Sequence, residues 1–454
     1  MELHPEQLYF LPLGGTGEIG MNLNLYGYNN HWLMVDCGIT FSKLPGEPDV
    51  QMPDPSFIAS RREQLTGIVI THAHEDHLGA LPYLWSMLQV PIYATPFAGA
   101  VIERKMAEAL LLDKIDLRIV DTSRPLVLGD FSLQWVNLTH SIPEPYGLLI
   151  QTPAGNVFHT ADWKLDPDPV VGWPVDPKWY KNLQGVDAMV CDSTNANQAG
   201  HSISEGALYE GLYDQVVGCQ GRVVVTCFAS NLARLHTLLG VARDCQRDVV
   251  LLGRSLQTMV RLAKRLDYWP QDLPNFVHPN EMGYIPERHL MVIATGSQGE
   301  PRAALARMAA GMFREFDLTS GDKVIFSSRA IPGNEESIAR VQNQLRALGV
   351  QVVDDDNAGK PIHASGHPAS DELELMYQWV QPHLLVPTHG EVQHMAANAK
   401  IAKAAGVQRT LTGVNGDLFM LCPQVGVQRK AAVVGRLGYD NGRLAAVLPA
   451  DDNA

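Results

Sequence analysis

Residues 71 to 77, THAHEDH, carry four side chains of the types that bind metal ions. On a nearly extended segment, residues two apart point the same way, so His72 and His74 can chelate one cation. Asp76 and His77 are adjacent, lie at the turn into an apolar helical pattern and can hold a second cation. Four ligand-type residues at these spacings favour a metal site over a polar loop of unusual composition. The stretch is not the HExxH zinc motif, because HEDH is one residue short.

Short apolar runs surround this motif and must position it. GIVI before the motif is typical of a buried strand, and LGALPYLWSML after it is typical of a helix. The first 195 residues hold further β-type runs, among them HWLMVDCG, FSLQWVNLTH, NVFHTADW and DAMVCDST. Because several of these runs end in ionisable residues, we expect a sheet protein whose strand ends and following loops carry the chemistry.

From about His201 to Asp355 the pattern changes to alternating helices and strands. EGALYEGLYDQVVG, NLARLHTLLGVARDC and LQTMVRLAKRL favour helices, whereas RVVVTCF, DVVLLG, LMVIAT and KVIFSS favour strands. Such alternation predicts βαβ units around a parallel sheet. LLVPTHGEVQHMAANAKIAKAAG then predicts one more strand, loop and helix.

Composition limits the classes of protein to which this chain can belong. Its 454 residues, 46% of them hydrophobic, suffice for two or three domains. No apolar run approaches the roughly 18 to 20 residues of a membrane span, and MELHPEQLYF lacks signal-peptide features, so we expect a cytoplasmic protein with no membrane partner. The six cysteines form no CxxC pair. The net charge of −14 argues against a wide nucleic-acid-coating face, but two bound divalent cations would still attract an anionic substrate.

The THAHEDH stretch resembles the HxHxDH signature of the metallo-β-lactamase fold, and further elements of that family follow in order. NLTHSIPEP offers His140, FHTADWKLD offers Asp162 and PTHGE offers His389. Each of these three residues, taken singly, also fits an ordinary turn or loop position. The resemblance implies an α/β fold, an αββα sandwich with two metal ions. One ion is then held by His72, His74, His140 and Asp162, and the other by Asp76, His77, Asp162 and His389. A bridging Asp162 is expected to turn one oxygen towards each cation.

The segment between Asp162 and His389 resembles the αβ insertion of the β-CASP nucleases, and the chain is most similar to the ribonuclease J family. The matching text includes LPLGGTGEIGMNL, CDSTNA, TCFASNLARL, LLGRSLQ, ATGSQGEP, VIFSSRAIPGNE, HASGHPASDEL and GVNGD. The resemblance predicts a metallo-β-lactamase domain formed by residues 1–198 and 358–454, with a β-CASP domain of residues 199–357 around a parallel sheet. Many family members carry a further C-terminal domain, which we expect this chain to lack, and a homodimer through the β-CASP region is expected.

The resemblance also assigns three motifs around the metal ions. Asp192 in CDSTNA matches the acidic motif A, His367 in ASGHPAS matches motif B and His389 matches motif C. Since an acid that follows a buried strand often orients a ligand, we expect Asp192 to position a metal-binding histidine rather than to bind metal itself. Glu391 is a second candidate for fixing a histidine tautomer.

Substrate contacts follow from the same resemblance. His363 and Ser365 match residues that hold the nucleotide backbone at the cleavage site, and the FASN and GRS loops match the region that receives a 5′ phosphate. The second group comprises Ser230, Asn231, Arg254 and Ser255. Ser297 and Gln298 lie in a glycine-bounded turn that can offer backbone N–H groups to an anion. For Arg254 a surface position at the start of a helix fits the sequence equally well, and the glycine-bounded turn can be only a turn.

The resemblance to the ribonuclease J family implies a zinc-dependent ribonuclease that acts on single-stranded RNA as a 5′-to-3′ exonuclease preferring 5′-monophosphate ends, with endonucleolytic cleavage as a second mode. Two divalent ions, Zn²⁺ before Mn²⁺ or Mg²⁺, are expected, since His and Asp ligands accept several metals. Asp76 is the candidate that accepts or orients the proton of the attacking water, and His367 the candidate that stabilises charge or protonates the leaving 3′ oxygen. A small-molecule hydrolase of the same fold and a silent RNA-binding partner subunit are the alternatives; the long insertion argues against the first and the retained ligands against the second.

Overall fold

The structure, a computed structural model, describes residues 3–42, 46–314, 316–331 and 333–447. The part before residue 198 consists mainly of short strands. In chain order its elements are β1 Leu8–Gly14, β2 Thr16–Gly17, β3 Leu23–Tyr28, β4 His31–Val35, β5 Thr40–Phe41, β6 Val50–Pro53, α1 Ser56–Ala59, β7 Leu65–Ile70, α2 Glu75–Leu78, α3 Leu81–Leu88, β8 Ile92–Ala94, α4 Pro96–Glu108, β9 Leu117–Ile119, β10 Leu126–Leu128, β11 Phe131–Asn137, β12 Tyr146–Thr152, β13 Gly155–His159, α5 Pro177–Lys181 and β14 Ala188–Asp192.

Helices and strands alternate in the middle of the chain. The elements are α6 Leu208–Val216, β15 Val223–Thr226, α7 Leu232–Asp244, β16 Asp248–Leu252, α8 Arg254–Arg265, β17 Phe276–Val277, β18 Leu290–Ala294, α9 Ala304–Ala309, β19 Lys323–Phe326, α10 Glu335–Ala347 and β20 Gln351–Val353. The last part holds α11 Ser370–Val380, β21 Leu384–Thr388, β22 Gly390–Glu391, α12 Val392–Ala404, β23 Arg409–Thr410, β24 Leu418–Cys422, β25 Gly426–Gln428, β26 Arg436–Asp440 and β27 Arg443–Val447. Short 3-10 turns occur at Arg62–Gln64, Leu112–Lys114, Pro279–Tyr284 and Glu287–His289.

Two sheets stack face to face in the first and last parts of the chain. One has the order β25-β24-β1-β3-β4-β7-β8-β9, and the other has the order β10-β11-β12-β13-β14-β21-β23. Apolar side chains such as Phe10, Val35, Ile150 and Val190 fill the space between them. Successive side chains of a strand point to opposite faces of the sheet. The faces that point away from this space are also apolar, so each of them must be covered by other elements. Helices α3 and α4 cover the first sheet, and α5, α11 and α12 cover the second, which gives an αββα sandwich.

The middle part forms a separate sheet in which every strand is parallel. Its order is β17-β16-β18-β15-β19-β20, with the neighbouring strands in parallel register. Runs such as Val223–Thr226 and Leu290–Ala294 are buried along their whole length, as expected for a sheet with helices on both faces. The parallel sheet lies within residues 199–357, while the exact domain boundaries stay a prediction.

The last described residues form a β-hairpin. Strands β26 and β27 pair through the turn Asn441-Gly442, whose φ angles of 47° and 84° suit a tight hairpin. Strand β26 also pairs with β6, so the hairpin extends a small sheet of order β27-β26-β6-β5. Within the described ranges, no helix combines the length and apolar character needed to cross a membrane.

A buried ion pair links helix α7 of the inserted domain to the loop before α6. The Arg234 guanidinium on α7 is fully buried and donates to both carboxylate oxygens of Glu205, at 2.6 and 3.1 Å. It also donates to the backbone carbonyl of Ser327 at 2.7 Å, just after β19. A buried charge that loses its partner is strongly unfavourable, so this pair is expected to matter for stability.

Replacing Glu205 with glutamine is expected to lower the free energy of unfolding by about 3 kcal/mol, because the Arg234 charge then stays buried without a counter-charge. The matched control is Glu210→Gln, since Glu210 pairs with Lys360 at 2.6 Å while its side chain is 73% exposed. That surface pair is expected to contribute about 0 to 1 kcal/mol. Urea unfolding of the three proteins measures the difference, and equal midpoints for both variants would contradict a stabilising role for the buried pair.

Candidate metal centre

Loops at strand ends bring the seven predicted ligands to one place. His72, His74, Asp76 and His77 follow β7, His140 lies between β11 and β12, Asp162 follows β13 and His389 follows β21. Strands β13, β14 and β21 are parallel neighbours, so their carboxyl ends meet at one edge of the sheet. His389 has a left-handed backbone with φ 48°, a conformation that a non-glycine residue keeps only where its surroundings enforce it.

The first donor group is His72, His74, His140 and Asp162, whose ligand atoms all lie within 4.8 Å of one another. His74 Nδ1 is 3.1 Å from His72 Nε2 and 3.0 Å from His140 Nε2. Asp162 Oδ2 is 3.8 Å from His72 Nε2 and 3.7 Å from His140 Nε2. A tetrahedral site with bonds of about 2.0 Å has ligand atoms roughly 3.3 Å apart, so these spacings suit a small cation.

The second donor group is Asp76, His77, Asp162 and His389, again within 4.8 Å. His77 Nε2 is 3.2 Å from Asp162 Oδ2 and 3.5 Å from Asp76 Oδ2. His389 Nε2 is 3.2 Å from Asp76 Oδ2. Oδ2 of Asp162 therefore approaches histidines of both groups, which differs from the expectation of one oxygen for each cation.

The remaining oxygen of Asp162 supports the assignment of a metal site. Asp162 is only 2% exposed, and its Oδ1 accepts no hydrogen bond from any residue that the structure describes. The nearest cationic group is His389 Nδ1 at 3.8 Å. A buried carboxylate is unfavourable unless a charge or a metal ion compensates for it. The donor set therefore fits divalent cations.

The electrostatics of these side chains also suit cation binding. Burial lowers the pKa of His72 and His140 well below the usual value, so both imidazoles are neutral as ligands must be. Burial alone would raise the pKa of Asp162, but His389 and His77 outweigh it and hold the pKa of this carboxyl well below its usual range. Burial alone would lower the pKa of His77 and His389, but the surrounding carboxylates, with Asp162 first among them, together outweigh it and raise the pKa of both histidines.

Residues that the sequence reading did not single out orient the histidines. Asp36 is fully buried at the end of β4 and accepts a 2.7 Å hydrogen bond from His77 Nδ1. It also accepts from Thr71 Oγ1, which in turn contacts His72 Nδ1 at 3.1 Å. His140 Nδ1 donates to the Gly366 carbonyl at 2.6 Å. Hydrogen bonds of this kind to Nδ1 fix the histidine tautomer whose Nε2 can bind a metal ion. The acidic end of HWLMVDCG was the signal that could have identified Asp36.

His367 and Asp192 form a second functional unit beside the donor groups. His367 Nδ1 donates to Asp192 Oδ2 at 2.8 Å and lies 4.0 Å from Asp162 Oδ2. Burial alone would lower the pKa of His367, but the carboxylates of Asp192 and Asp162 outweigh it and raise that pKa. Asp192 Oδ1 also accepts from Thr194 Oγ1, which contacts His389 Nδ1 at 2.8 Å. Asp192 thus contacts His367 directly and His389 both through Thr194 and directly, with 3.6 Å between Asp192 Oδ1 and His389 Nδ1.

The predicted phosphate-binding residues lie at one edge of the parallel sheet. Because its strands run in the same direction, the loops after β15, β16 and β18 emerge together. Ser230, Asn231 and Ser297 lie on these loops, and Arg254 and Ser255 begin α8 directly after the loop that follows β16. Arg254 and Ser255 are exposed at the start of α8, whereas Ser297 is buried. Asn231 is also buried and caps α7, accepting from the Arg234 N–H at 2.9 Å.

His363 and Ser365 lie on the loop that leads to His367. His363 is buried, and its Nδ1 is 3.4 Å from the Arg234 guanidinium. Ser365 Oγ accepts from Asn195 Nδ2 at 2.7 Å. Glu391, by contrast, is not brought to a metal-ligand histidine. Glu391 occupies the N-cap position of α12, where its backbone N–H donates to His394 Nδ1 at 3.2 Å and its carboxylate accepts from Gln393 at 2.9 Å.

Three domain families match consecutive parts of the chain. Residues 31–210 match the beta-lactamase superfamily domain, and residues 220–345 match the ribonuclease J beta-CASP domain. Residues 360–410 match the Zn-dependent metallo-hydrolase RNA specificity domain. The expected metallo-β-lactamase fold with a β-CASP insertion is thereby confirmed. A crystal structure of a protein of unknown function from Enterococcus faecalis V583 has a TM-score of 0.65 at 14% identity, covers 91% of this chain and all of its own, and supports the fold alone.

Three relatives of this chain are named ribonuclease J. Ribonuclease J of Sinorhizobium meliloti is 43% identical over 97% of this chain and 78% of its own length. Ribonuclease J of Mycolicibacterium smegmatis is 38% identical over 89% of this chain and 73% of its own length. The chain spans 58% of ribonuclease J of Helicobacter pylori strain 26695, at 36% identity. Because the first of these similarities extends over nearly the whole chain and the three matched domains follow in order, the chain belongs to the ribonuclease J family.

Proposed function

We propose that the chain is a metal-dependent ribonuclease that hydrolyses phosphodiester bonds of single-stranded RNA during RNA processing and decay. The observation that carries this proposal is the pair of donor groups that share Asp162 beside the His367–Asp192 unit. Two divalent ions held there would supply a water of lowered pKa and positive charge opposite the phosphate oxygens. RNA as the substrate is supported by the RNA specificity domain at residues 360–410 and by the names of the relatives.

We propose two side chains for proton transfer. Asp76 is 29% exposed, more than Asp162 or Asp192, so it can orient the attacking water and accept its proton. Because His367 Nδ1 donates to Asp192, Nε2 of the protonated ring remains free to donate to the leaving 3′ oxygen. The raised pKa of His367 keeps that proton in place at higher pH. The products would be a 5′ phosphate and a 3′ hydroxyl.

The proposal includes zinc as the metal, since the first donor group has three imidazoles and one carboxylate. Mn²⁺ and Mg²⁺ are the alternatives.

The proposal also includes a homodimer through the inserted domain, where Tyr284 and Met312 are large side chains with exposures of 89% and 60%. We place the activity in the cytoplasm, where bacterial RNA is processed.

We further propose 5′-to-3′ exonucleolytic cleavage that starts from a 5′ monophosphate, with endonucleolytic cleavage as a second mode. Helices α7 and α8 begin at the sheet edge that carries Ser230, Asn231 and Arg254. Helix N-termini favour anions, and an arginine can hold a phosphate through two parallel hydrogen bonds. His363 lies beside Arg234 of α7, and Gly366 on the same loop contacts His140, so this loop connects helix α7 with the metal centre.

A labelled RNA with a 5′ monophosphate is expected to be degraded at least about tenfold faster than the same RNA with a 5′ triphosphate or hydroxyl, because charged hydrogen bonds contribute about 1.5 to 3 kcal/mol. Arg254→Ala should remove most of this preference, while Arg261→Ala, an exposed arginine of the same helix, should keep it. Nitrocefin tests the small-molecule alternative and should not be hydrolysed. Equal degradation of all three RNAs by the unmodified protein would contradict the 5′-end proposal and favour endonucleolytic entry.

A further inference from the structure

The glycine-rich segment GGTGEIGMN, residues 14–22, lies against the second donor group at both of its ends. At its start, the Gly15 carbonyl accepts from the His389 N–H at 2.7 Å, and Thr16–Gly17 pairs with Gly390–Glu391. At its end, the backbone N–H and the side-chain amide of Asn22 both donate to the Asp76 carbonyl, at 2.9 and 3.1 Å. The segment therefore connects the backbones of two ligands that are 313 residues apart.

Close packing explains why this segment is rich in glycine. Gly15 has φ +83°, and a Cβ there would lie 2.2 Å from Asn22 Oδ1. A Cβ at Gly14 would lie 2.1 Å from the Met21 carbonyl oxygen. The segment thus folds back on itself with no room for side chains at these points, and a displacement of its middle would reach both ends.

Glu18 is the charged residue in the middle of the segment, and two distant residues hold its carboxylate. Asn415 Nδ2 donates to Glu18 Oε1 at 2.5 Å, and Asn415 also exchanges two hydrogen bonds with Thr16, at 2.9 and 3.0 Å. Arg436 of the C-terminal hairpin pairs with Glu18 Oε2. The Glu18 side chain is 17% exposed, which limits the solvent screening of this ion pair.

Arg436 itself is fixed by the small sheet at the end of the chain. It pairs with Pro53 in the register of β26 and β6, and its second guanidinium nitrogen donates to Gln51 Oε1 at 3.2 Å. Gln51 is fully buried. The hairpin thereby holds the Glu18 carboxylate in place. The glycine-rich segment that contains Glu18 in turn contacts the backbone of His389.

We propose that Glu18 is a positioning residue through which Arg436 and the C-terminal hairpin hold the second donor group, and so set the affinity for one of the two metal ions. This inference rests on the proposed function. The left-handed backbone of His389 needs such support, because a non-glycine residue keeps this conformation only when its surroundings enforce it. Among the hydrogen bonds and ion pairs of the described residues, the segment reaches Asp76, His77 and His389 but none of the three histidines that belong to the first donor group alone, so the ion of that group should keep its affinity.

The test is a titration of the metal-depleted protein with Zn²⁺ in the presence of a chromophoric chelator, which resolves the two affinities. Glu18→Gln and Arg436→Gln should each weaken one of the two ions about tenfold, at the low end of the usual effect of residues that support metal ligands, and leave the other ion unchanged. The double variant should be no worse than either single variant, since both remove the same contact. Arg443→Ala, an exposed arginine of the same hairpin, is the control and should leave both affinities unchanged.

Arg436→Lys keeps the positive charge beside Glu18, so it should retain most of the Zn²⁺ affinity that Arg436→Gln loses. If the substitutions only disrupted the hairpin, both Arg436 variants would lose affinity. Unchanged affinities in Glu18→Gln, or an equal loss of both ions, would overturn the proposal. Because the titration measures Zn²⁺ binding and uses no RNA, this inference can fail while the proposed ribonuclease activity holds, and the reverse.

Discussion

Replacing Asp162 with alanine is expected to remove both metal ions and to lower the turnover of RNA by about 10³-fold or more, because the ions supply several kcal/mol of transition-state stabilisation. The physical reason is that Asp162 Oδ2 lies 3.8 Å from His72 Nε2 in one donor group and 3.2 Å from His77 Nε2 in the other. Elemental analysis of the purified protein measures the number of ions in each chain.

The matched variant for this experiment is His140→Ala. His140 belongs to the first donor group alone, so its loss should mainly weaken one ion and leave the second in place. A single ion in fully active unmodified protein would count against the two-metal assignment. Retention of two ions by Asp162→Ala would show that this carboxylate is not shared.

Replacing His367 with alanine is expected to leave the metal content intact and to lower turnover by about 10²- to 10⁴-fold, the usual contribution of a positioned acid or base. His367 lies 4.0 Å from Asp162 Oδ2 and donates to Asp192, outside the two groups assigned to the ions. Elemental analysis and single-turnover cleavage of a 5′-monophosphate RNA measure the two effects separately. His201→Ala, at an exposed histidine, is the control.

Two other results of that experiment would change the assignment of His367. Unchanged turnover would remove it from the chemistry. Loss of an ion would instead make it a ligand, because His367 also lies within 4.8 Å of donor atoms of Asp162, Asp192 and His389. Asp192→Asn distinguishes orientation from proton transfer, since it keeps the imidazole but removes the charge that raises the pKa of His367. We expect its pH profile to shift towards lower pH.

Local sequence was sufficient to predict the inserted parallel sheet and the four ligands that follow β7, whereas Asp162 came from the family resemblance. Buried runs such as Val223–Thr226 have no polar face, and a helix follows each of the longer ones, so few other arrangements could bury them. The spacing of His72 and His74 likewise fixes their direction within one extended segment. Family resemblance, rather than spacing, supplied His140 and His389.

Only the tertiary structure decided which residues hold these ligands in place. Asp36 reaches His77 because β4 and β7 are parallel neighbours, and Thr194 reaches His389 because β14 and β21 are parallel neighbours. Such contacts depend on strand order and register, which a local pattern of residue types does not contain. The ion pair of Glu18 with Arg436 joins residues 418 positions apart for the same reason. The sequence by itself therefore determined the chemical groups of the metal centre, and the sheet topology determined how they are oriented.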